Sequence, residues 1–348
     1  MSLLQITPYD RAFYEERLRD FLPDTFIDCH THIWLDKDNH VCEDTAHRSC
    51  AWPSMVAKDN SAEDLAETNR LLFPDKRVIS VLYPNTSITT DLPAVNAYVG
   101  EAAVRYDCPA LYLSHPSESC ASIEAAMAKN PHFRGLKVYL QFAPSYIPND
   151  EIRIFYFLPH EHLALADRHG WVVQLHIARP RRLADPVNYV QLREVEERYP
   201  NLQLIIAHLG RAYADEDLGD ALEYLKPLKK TVWDFTANTN SYVMERILEL
   251  HGPERFIYGS DFPVFRMKAR RTVENGFYIN EIPKGSLGDV SGDPHIREID
   301  GEEGKRITFF IYEEMDACRR ACERLGLGKR DVENIFYGNS ARIFGLKK

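Results

Sequence analysis

The chain has 348 residues, of which 45% are hydrophobic and 27% are charged, proportions typical of a globular protein with a large core. Its formal net charge of -10 at pH 7 argues against a nucleic acid as its partner, and no apolar stretch approaches the roughly 20 residues that span a membrane. The N-terminus lacks the pattern of a signal peptide, and seven cysteines, an odd number, argue against a disulfide framework. We therefore expect a cytoplasmic protein whose partner is a small-molecule substrate, with a homodimer as one option for its assembly.

A polar, helix-like lead-in, residues 1–24, precedes a series of apolar runs that alternate with helix-like segments. The runs that predict strands lie at residues 25–30, 77–83, 110–114, 133–139, 171–176, 203–208, 231–235 and 256–259. The segments that predict helices include residues 61–73, 122–129, 158–169, 187–199, 218–228 and 242–251. Strands separated by helices predict a parallel sheet covered by helices. The number eight favours a closed (β/α)8 TIM barrel over an open doubly wound sheet, and no Gly-rich dinucleotide fingerprint follows any strand.

We expect the whole chain, residues 1–348, to form a single α/β domain, with the barrel at residues 25–346 and the lead-in across the barrel floor. Two segments after predicted strands are long, residues 33–60 after the first strand and residues 262–305 after the eighth. Loops that follow strands lie on the catalytic face of a barrel. These two loops are therefore expected to form a lid or a wall around the substrate.

Histidines or an aspartate stand where four of the predicted strands end. His30 and His32 close the first strand, His176 the fifth and His208 the sixth, and Asp261 follows the eighth. The carboxyl ends of parallel strands meet on one face of a barrel, where imidazole and carboxylate groups together suit zinc and similar ions. The pattern favours one divalent ion with four protein ligands, His30, His32, His176 and Asp261. For His208, a ligand and a nearby catalytic electrophile are both open.

The alternation of side chains along a strand supports this convergence. Alternate residues of a strand point to the same face of the sheet. We therefore expect Asp28, His30 and His32 on one face of the first strand, with Ile27 and Cys29 on the opposite face. The fifth and eighth predicted strands agree with the first in phase, which unrelated core histidines would not be expected to do.

Several basic residues near this predicted site have more than one interpretation. Lys137, in the fourth strand, is expected to face inward with Tyr139, and both are candidate substrate-binding residues. Lys137 binds a substrate carboxylate, is carbamylated and bridges two metal ions, or is a buried structural lysine paired with an acid such as Asp234. Arg179 and Arg211, after the fifth and sixth strands, hold an anionic substrate or form surface ion pairs with the acidic helices.

Together these motifs resemble the amidohydrolase superfamily of metal-dependent barrels, and more narrowly its amidohydrolase 2 (amidohydrolase-related) branch. The segments that carry the resemblance are FIDCHTH at 26–32, GLK at 135–137, LH at 175–176, AHLG at 207–210, YGSDFP at 258–263 and NIFYGNSARIFG at 334–345. The resemblance implies one divalent ion, often zinc with manganese as an option, held by His30, His32, His176 and Asp261. It implies that His208 orients or polarises the substrate. A binuclear site with a carbamylated Lys137 is the alternative.

The expected chemistry follows from such an ion, which lowers the pKa of bound water and polarises a carbonyl. Hydrolysis of an amide, ester or lactone bond of a small, anionic substrate is the leading hypothesis, with Asp261 as the general base and His208 as the second catalytic residue. The same branch contains non-oxidative carboxy-lyases and hydratases, which form the alternative. A non-catalytic barrel is a third hypothesis, but none of the expected ligands is missing from this sequence.

Overall fold

Eight parallel strands form one sheet in the computed structural model of the chain, which describes residues 3–38, 52–85 and 90–346. The strands are β1 Thr25–Ile33, β2 Arg77–Pro84, β3 Ala110–Leu113, β4 Phe133–Val138, β5 Val172–Leu175, β6 Gln203–Ile206, β7 Val232–Asp234 and β8 Phe256–Ile257. Each strand pairs with its neighbour in sequence, as a barrel of strand–helix units requires. The predicted (β/α)8 TIM barrel is thereby confirmed.

Hydrogen bonds between β1 and the segment after β8 close the barrel. The backbone N–H of Cys29 donates to the carbonyl of Tyr258 at 3.0 Å, and that of Asp261 donates to the carbonyl of His30 at 2.9 Å. The N–H of His32 continues this ladder to the carbonyl of Phe262 at 3.1 Å. Closure therefore brings the histidines of β1 and the aspartate after β8 side by side.

Most of the helices cover the outer face of the barrel, and the last of them contributes to the barrel floor. Their bounds are Pro8–Phe13, Trp52–Val56, Ala62–Leu72, Leu92–Tyr106, Cys120–Lys129, Ile154–Phe157, His160–His169, Pro186–Arg198, Ala221–Leu225, Ser241–His251, Gly301–Gly304, Phe310–Arg324, Lys329–Glu333 and Asn339–Ile343. All six predicted helices are present, although the one expected at 218–228 extends only over Ala221–Leu225. None of the helices in the described part of the chain is both long and apolar enough to cross a membrane.

Two buried clusters separate the inside of the barrel from the layer between strands and helices. The inner cluster includes Val172, Ile205, Val232 and Ile257. Residues that alternate with them along the strands, such as Val173, pack under the helices.

The C-terminal segment closes the floor of the barrel, where the lead-in was expected. Ile343 and Phe344 belong to the inner cluster. Phe13 and Leu18 of the lead-in pack in the outer layer instead. The expectation that the lead-in covers the floor is therefore wrong, because the apolar side chains that enter the barrel come from the other end of the chain.

A β-bulge in β1 changes which way its side chains point. Asp28 pairs with Ser80 and Thr31 with Leu82, so Cys29 and His30 together oppose a single residue of β2. Cys29 packs in the inner cluster, and the His30 ring lies beside groups from other strands on the inner face, as described below. The expected strict alternation, with Ile27 and Cys29 opposite His30, is therefore wrong, because the bulge turns two consecutive residues inward.

The segment expected as a long loop at 262–305 contains a second, three-stranded sheet. Its strands are β9 Arg270–Glu274, β10 Phe277–Pro283 and β11 Ile296–Ile299. Asn275 and Gly276, both with positive φ, form the tight turn between β9 and β10, and Asn-Gly is the dipeptide that favours such hairpins. The other long loop includes the helix Trp52–Val56, and its residues 39–51 lie outside the described residues.

Candidate metal centre

His30, His32 and Asp261 form a metal-binding triad at the carboxyl ends of the strands. The two Nε2 atoms lie 3.2 Å apart, and Oδ1 of Asp261 is 3.7 Å from each of them. Among the described residues, these three offer ligand atoms that all lie within 4.8 Å of one another. The bulge in β1 and the closure of β1 against the segment after β8 create this juxtaposition.

Four histidines, two in the triad and two beside it, share one tautomer. Each Nδ1 lies beside a protein acceptor, so Nδ1 carries the hydrogen and Nε2 presents a lone pair. The pairs are His30 with the Asp234 carboxylate at 3.0 Å, His32 with the Pro84 carbonyl at 2.8 Å, His176 with the Ile177 carbonyl at 3.2 Å and His208 with the Thr236 carbonyl at 3.0 Å. This arrangement orients unprotonated nitrogen atoms as ligands or acceptors.

Burial keeps these imidazoles neutral and favours the protonated form of the neighbouring carboxylate. It lowers the pKa of His32 to about 3 and that of His208 to about 4, and it lowers the pKa values of His30 and His176 well below the usual value. Burial raises the pKa of Asp261 to about 7, against the opposing charge of the lysine in β4. The histidines are therefore in the protonation state that binds metal ions.

Asp234, at the end of β7, holds the triad from behind. Its Oδ2 accepts from His30 Nδ1 and from the side chain of Gln174, and its Oδ1 accepts from the backbone N–H of His208 at 2.7 Å. Carboxylates that hold a ligating histidine in this way fix its tautomer and orientation. Sequence reasoning considered Asp234 only as a partner for Lys137, although an acid at a strand end on the catalytic face was a signal for this role.

Replacing Asp234 with asparagine should weaken zinc affinity by roughly 10–100-fold, the usual effect of removing an outer-shell partner of a ligating histidine. Competition with a chromophoric chelator measures that affinity. Glu196→Gln is the matched control, because Glu196 accepts from the backbone N–H of Thr231 at the opposite end of the same strand. Equal zinc affinities for Asp234→Asn and the unmodified protein would contradict this role.

Gly259 leaves the space into which His30 is packed. A Cβ at this position would lie 2.7 Å from Cβ of His30 and 3.2 Å from Sγ of Cys29. Overpacking of this kind costs about 1–3 kcal/mol. Gly259→Ala should therefore lower the free energy of unfolding by that amount in urea titrations and reduce zinc affinity as His30 is displaced. Gly292→Ala, where the added methyl group meets no atom within 4 Å, should change neither quantity.

Lys137 lies against the triad and is buried. Its Nζ is 3.1 Å from Nε2 of His30 and 5.1 Å from the centre of the Tyr83 ring. Burial lowers the pKa of the Lys137 ammonium to about 8. No carboxylate of the described residues, Asp234 included, lies within ion-pair distance of it, so a direct pair with Asp234 is not formed. Its place beside His30 is compatible with a substrate-binding role and with carbamylation.

The other predicted site residues line one cavity of about 750 Å³ above the triad. The Tyr139 ring packs 4.8 Å from the His176 ring, and the His176 and His208 rings are 4.9 Å apart. Both histidines lie outside the close group of three, so their roles as ligand and catalytic residue remain predictions. Arg179 is paired with Asp185 at 2.9 Å, in a largely buried pair rather than the surface pair that its ion-pair interpretation expected, whereas Arg211 has no ion pair among the described residues.

Unfavourable backbone conformations concentrate around this cavity. Nine non-glycine residues of the described chain have a positive φ angle, a backbone conformation that residues other than glycine rarely adopt. Six of them line the cavity, namely Arg179, Arg182, His208, Arg211, Ala237 and Asp261. Residues 208–211 form a complete left-handed turn. Such conformations persist where the surrounding structure imposes them, typically at functional sites.

The donor set of the triad fits a divalent ion. Nitrogen atoms 3.2 Å apart can bond to the same ion, because zinc–nitrogen bonds are about 2.0–2.1 Å long. Asp261 adds a carboxylate, and its position at the cavity leaves room for a further ligand from substrate or solvent. The outer-shell contact from Asp234 to His30 completes the pattern typical of histidine metal sites.

Comparison with known proteins agrees with this geometry. The amidohydrolase 2 family model, described as Amidohydrolase, matches residues 27–281, while a search of curated proteins finds no match. A zinc-bound amidohydrolase from Burkholderia multivorans is similar in structure, with 14% identity, a TM-score of 0.61 and coverage of 93% of this chain and 100% of that one.

Two further similar structures are named as enzymes that catalyse different reactions. A probable 2-pyrone-4,6-dicarboxylic acid hydrolase from Acinetobacter baumannii has 15% identity and a TM-score of 0.55, covering 92% of this chain and 99% of that one. A dihydroxybenzoic acid decarboxylase from Polaromonas sp. JS666, with bound manganese and 2-nitroresorcinol, has 11% identity and a TM-score of 0.52, covering 94% and 98%. At these identities the likeness shows a shared fold.

Proposed function

The chain belongs to the amidohydrolase family, and from that premise we propose that it is a metal-dependent hydrolase. The proposed reaction is cleavage of an amide, ester or lactone bond in a small, anionic substrate. The observation that carries the proposal is the triad, in which two oriented Nε2 atoms and one carboxylate lie within 4.8 Å of one another at the base of a cavity. The zinc-bound relative and the relative named as a pyrone hydrolase support it.

His30, His32 and Asp261 would hold the ion, with His176 as the fourth protein ligand. A divalent ion in such a site lowers the pKa of water toward about 7 and polarises a carbonyl group. Zinc is the favoured ion and manganese the second choice, since relatives with each are known. A second ion bridged by a carbamylated Lys137 is the less economical arrangement, because His30, His32, Asp261 and His176 already offer four ligands to a single ion.

The protein's own groups perform the proton transfers and hold the substrate. Asp261, whose carboxylate would lie beside the water held by the ion, suits a general base that takes a proton from that water and returns it to the leaving group. His208 presents Nε2 to the cavity because its Nδ1 donates to the Thr236 carbonyl, and a proton taken there would make it an electrophile for the carbonyl oxygen. Lys137, Tyr139 and Arg211 would contact the anionic part of the substrate.

An activity screen with zinc-loaded and manganese-loaded protein tests this proposal. The panel should include lactones, amides and esters of carboxylic acids, and aromatic carboxylates. We expect hydrolysis of at least one lactone, amide or ester, abolished by a chelator and restored by the metal. Chelator-insensitive turnover, or metal-dependent turnover restricted to carbon dioxide release, would contradict a metal-dependent hydrolase.

Non-oxidative decarboxylation is the second candidate function. It is favoured by the similarity to the manganese-bound dihydroxybenzoic acid decarboxylase and to a 5-carboxyvanillate decarboxylase. In that reaction the same triad would face the substrate carboxylate. Asp261 or His208 would deliver a proton to the carbon atom from which carbon dioxide leaves. Release of carbon dioxide from an aromatic acid, with no ¹⁸O from labelled water in the aromatic product, distinguishes this reaction from hydrolysis.

A further inference from the structure

Arg271, on β9 of the small sheet, is a cation in the cavity wall without a carboxylate partner. Its Nε donates to Oδ1 of Asn280 at 2.9 Å, and its Nη1 donates to the carbonyl of Ala237 at 2.6 Å. No acidic side chain of the described residues lies within 4.0 Å of it, although burial lowers the pKa of its guanidinium. Enclosing a charge with neutral partners alone is costly. The buried acid that acts on Arg271 from beyond ion-pair distance, Glu314, has its own pKa raised well above the usual value by burial, which favours its uncharged form.

Aromatic rings hold the Arg271 guanidinium in place. Its Cζ lies 4.5 Å from the Tyr213 ring centre, 4.8 Å from that of Tyr278 and 4.8 Å from that of Phe310. Arg182 packs against the same two tyrosines at 5.2 and 4.9 Å. Arg182, however, is neutralised by an ion pair at 2.6 Å with Asp217. The neighbouring arginine on β9, Arg270, is likewise paired with Glu281. Of these three arginines, Arg271 is the one that has no ion pair within the described residues.

The loop after β7 accepts hydrogen bonds from both Arg271 and His208. Thr236 accepts from Nδ1 of His208 with its carbonyl, and the next residue, Ala237, accepts from Arg271. Arg271 and His208 are therefore held by consecutive residues of the same loop, and Arg271 lies in the wall of the cavity that contains the triad. Arg211 and Tyr213 line that cavity as well, and among the described residues the Arg211 guanidinium and the Tyr213 hydroxyl have no hydrogen-bond partner.

We infer that Arg271, with Arg211 and Tyr213, forms an anion subsite that binds a substrate carboxylate remote from the bond cleaved at the triad. That a bond is cleaved at the triad rests on the proposed function, whereas the anion subsite does not depend on it. It assigns a role to the small sheet, which contributes Arg271 and the rings that fix it. The substrate class is a diacid, or an acid whose reacting ester, lactone or amide group is separated from its carboxylate by the width of the cavity.

Two diacids and their monoamides test this subsite on the zinc-loaded full chain. The probes are isophthalate and adipate, with 3-carbamoylbenzoate and adipic acid monoamide as partners of equal size and one charge less. Hydrogen bonds to a charged group contribute about 1.5–3 kcal/mol, so calorimetry should show at least one diacid binding roughly 10–100-fold more tightly than its monoamide. Equal affinity within both pairs, including no measurable binding of any probe, would overturn the inference.

Variants then locate the effect. Arg271→Gln should reduce the preference for the diacid to less than about threefold, and Arg270→Gln, on the same strand, should leave it unchanged. If Arg271→Gln fails to fold, Arg211→Gln decides, because that guanidinium has no structural hydrogen bond within the described residues. A full preference in whichever of these variants folds would overturn the inference. The titration involves no bond cleavage, so a failed hydrolysis screen beside a preserved preference would reject the proposed function and keep the subsite.

Discussion

Replacing Asp261 with asparagine is expected to lower kcat by roughly 10²–10⁴-fold, the contribution typical of a positioned general base. The amide keeps the shape of the side chain and one oxygen ligand, but it cannot take a proton at neutral pH. Most of the metal should therefore remain bound through His30 and His32, whose Nε2 atoms lie 3.2 Å apart. Steady-state kinetics on the substrate found in the screen, together with metal analysis of the same sample, measures both quantities.

Asp107→Asn is the matched control for this change. Asp107, like Asp261, has a positive φ, so the pair separates loss of the carboxylate from any effect of asparagine in a left-handed conformation. Asp107 is an exposed residue that ends the helix Leu92–Tyr106, and its replacement should leave kcat unchanged. Full activity of Asp261→Asn would refute the assignment of Asp261 as the base.

The second large effect is expected for His32→Ala. Among the described residues, the His32 side chain makes one hydrogen bond besides its contacts within the triad, to the carbonyl of Pro84, so replacing it removes a ligand with limited structural damage. Zinc affinity should fall by more than the roughly 10–100-fold expected for an outer-shell partner, and activity should fall with it. Excess zinc should restore part of the activity, because His30 and Asp261 remain.

A surface histidine provides the comparison. His169 is paired with Glu124 at the end of the helix His160–His169, and His169→Ala should retain both zinc affinity and activity. Equilibrium dialysis of the two variants against a zinc buffer measures the difference. A His32→Ala protein that binds zinc as tightly as the His169→Ala protein would contradict a metal site at the triad.

The barrel and most of its site could be predicted from the sequence because they depend on local patterns. Eight apolar runs alternating with amphipathic segments allow few other folds, and histidines at strand ends on one face must converge once the barrel closes. Two further features bring the triad together, the bulge in β1 and the closure of β1 against the segment around Asp261. The family resemblance, carried by short motifs at the same strand ends, agrees with the match over residues 27–281.

Features that depend on the tertiary context were missed. The bulge at Cys29 and His30 breaks the period of two that alternation assumes, and nothing in the apolar run marks where it occurs. The sequence predicts a loop where the small sheet lies, because Gly, Asp and Pro residues in this segment outweigh the hairpin signal of Asn275 and Gly276. Arg271 could not be identified as unneutralised from sequence, since that requires knowing which of several acids lies next to it.

An X-ray structure of the zinc-loaded protein, with anomalous data at the zinc edge, tests whether the triad binds the ion. A metal site at the triad predicts an anomalous peak about 2.0–2.2 Å from Nε2 of His30, Nε2 of His32 and a carboxylate oxygen of Asp261. It also predicts that the peak disappears in crystals of His32→Ala. A zinc-loaded crystal with no peak at these three residues, or with its strongest peak at other ligands, would contradict a metal site at the triad.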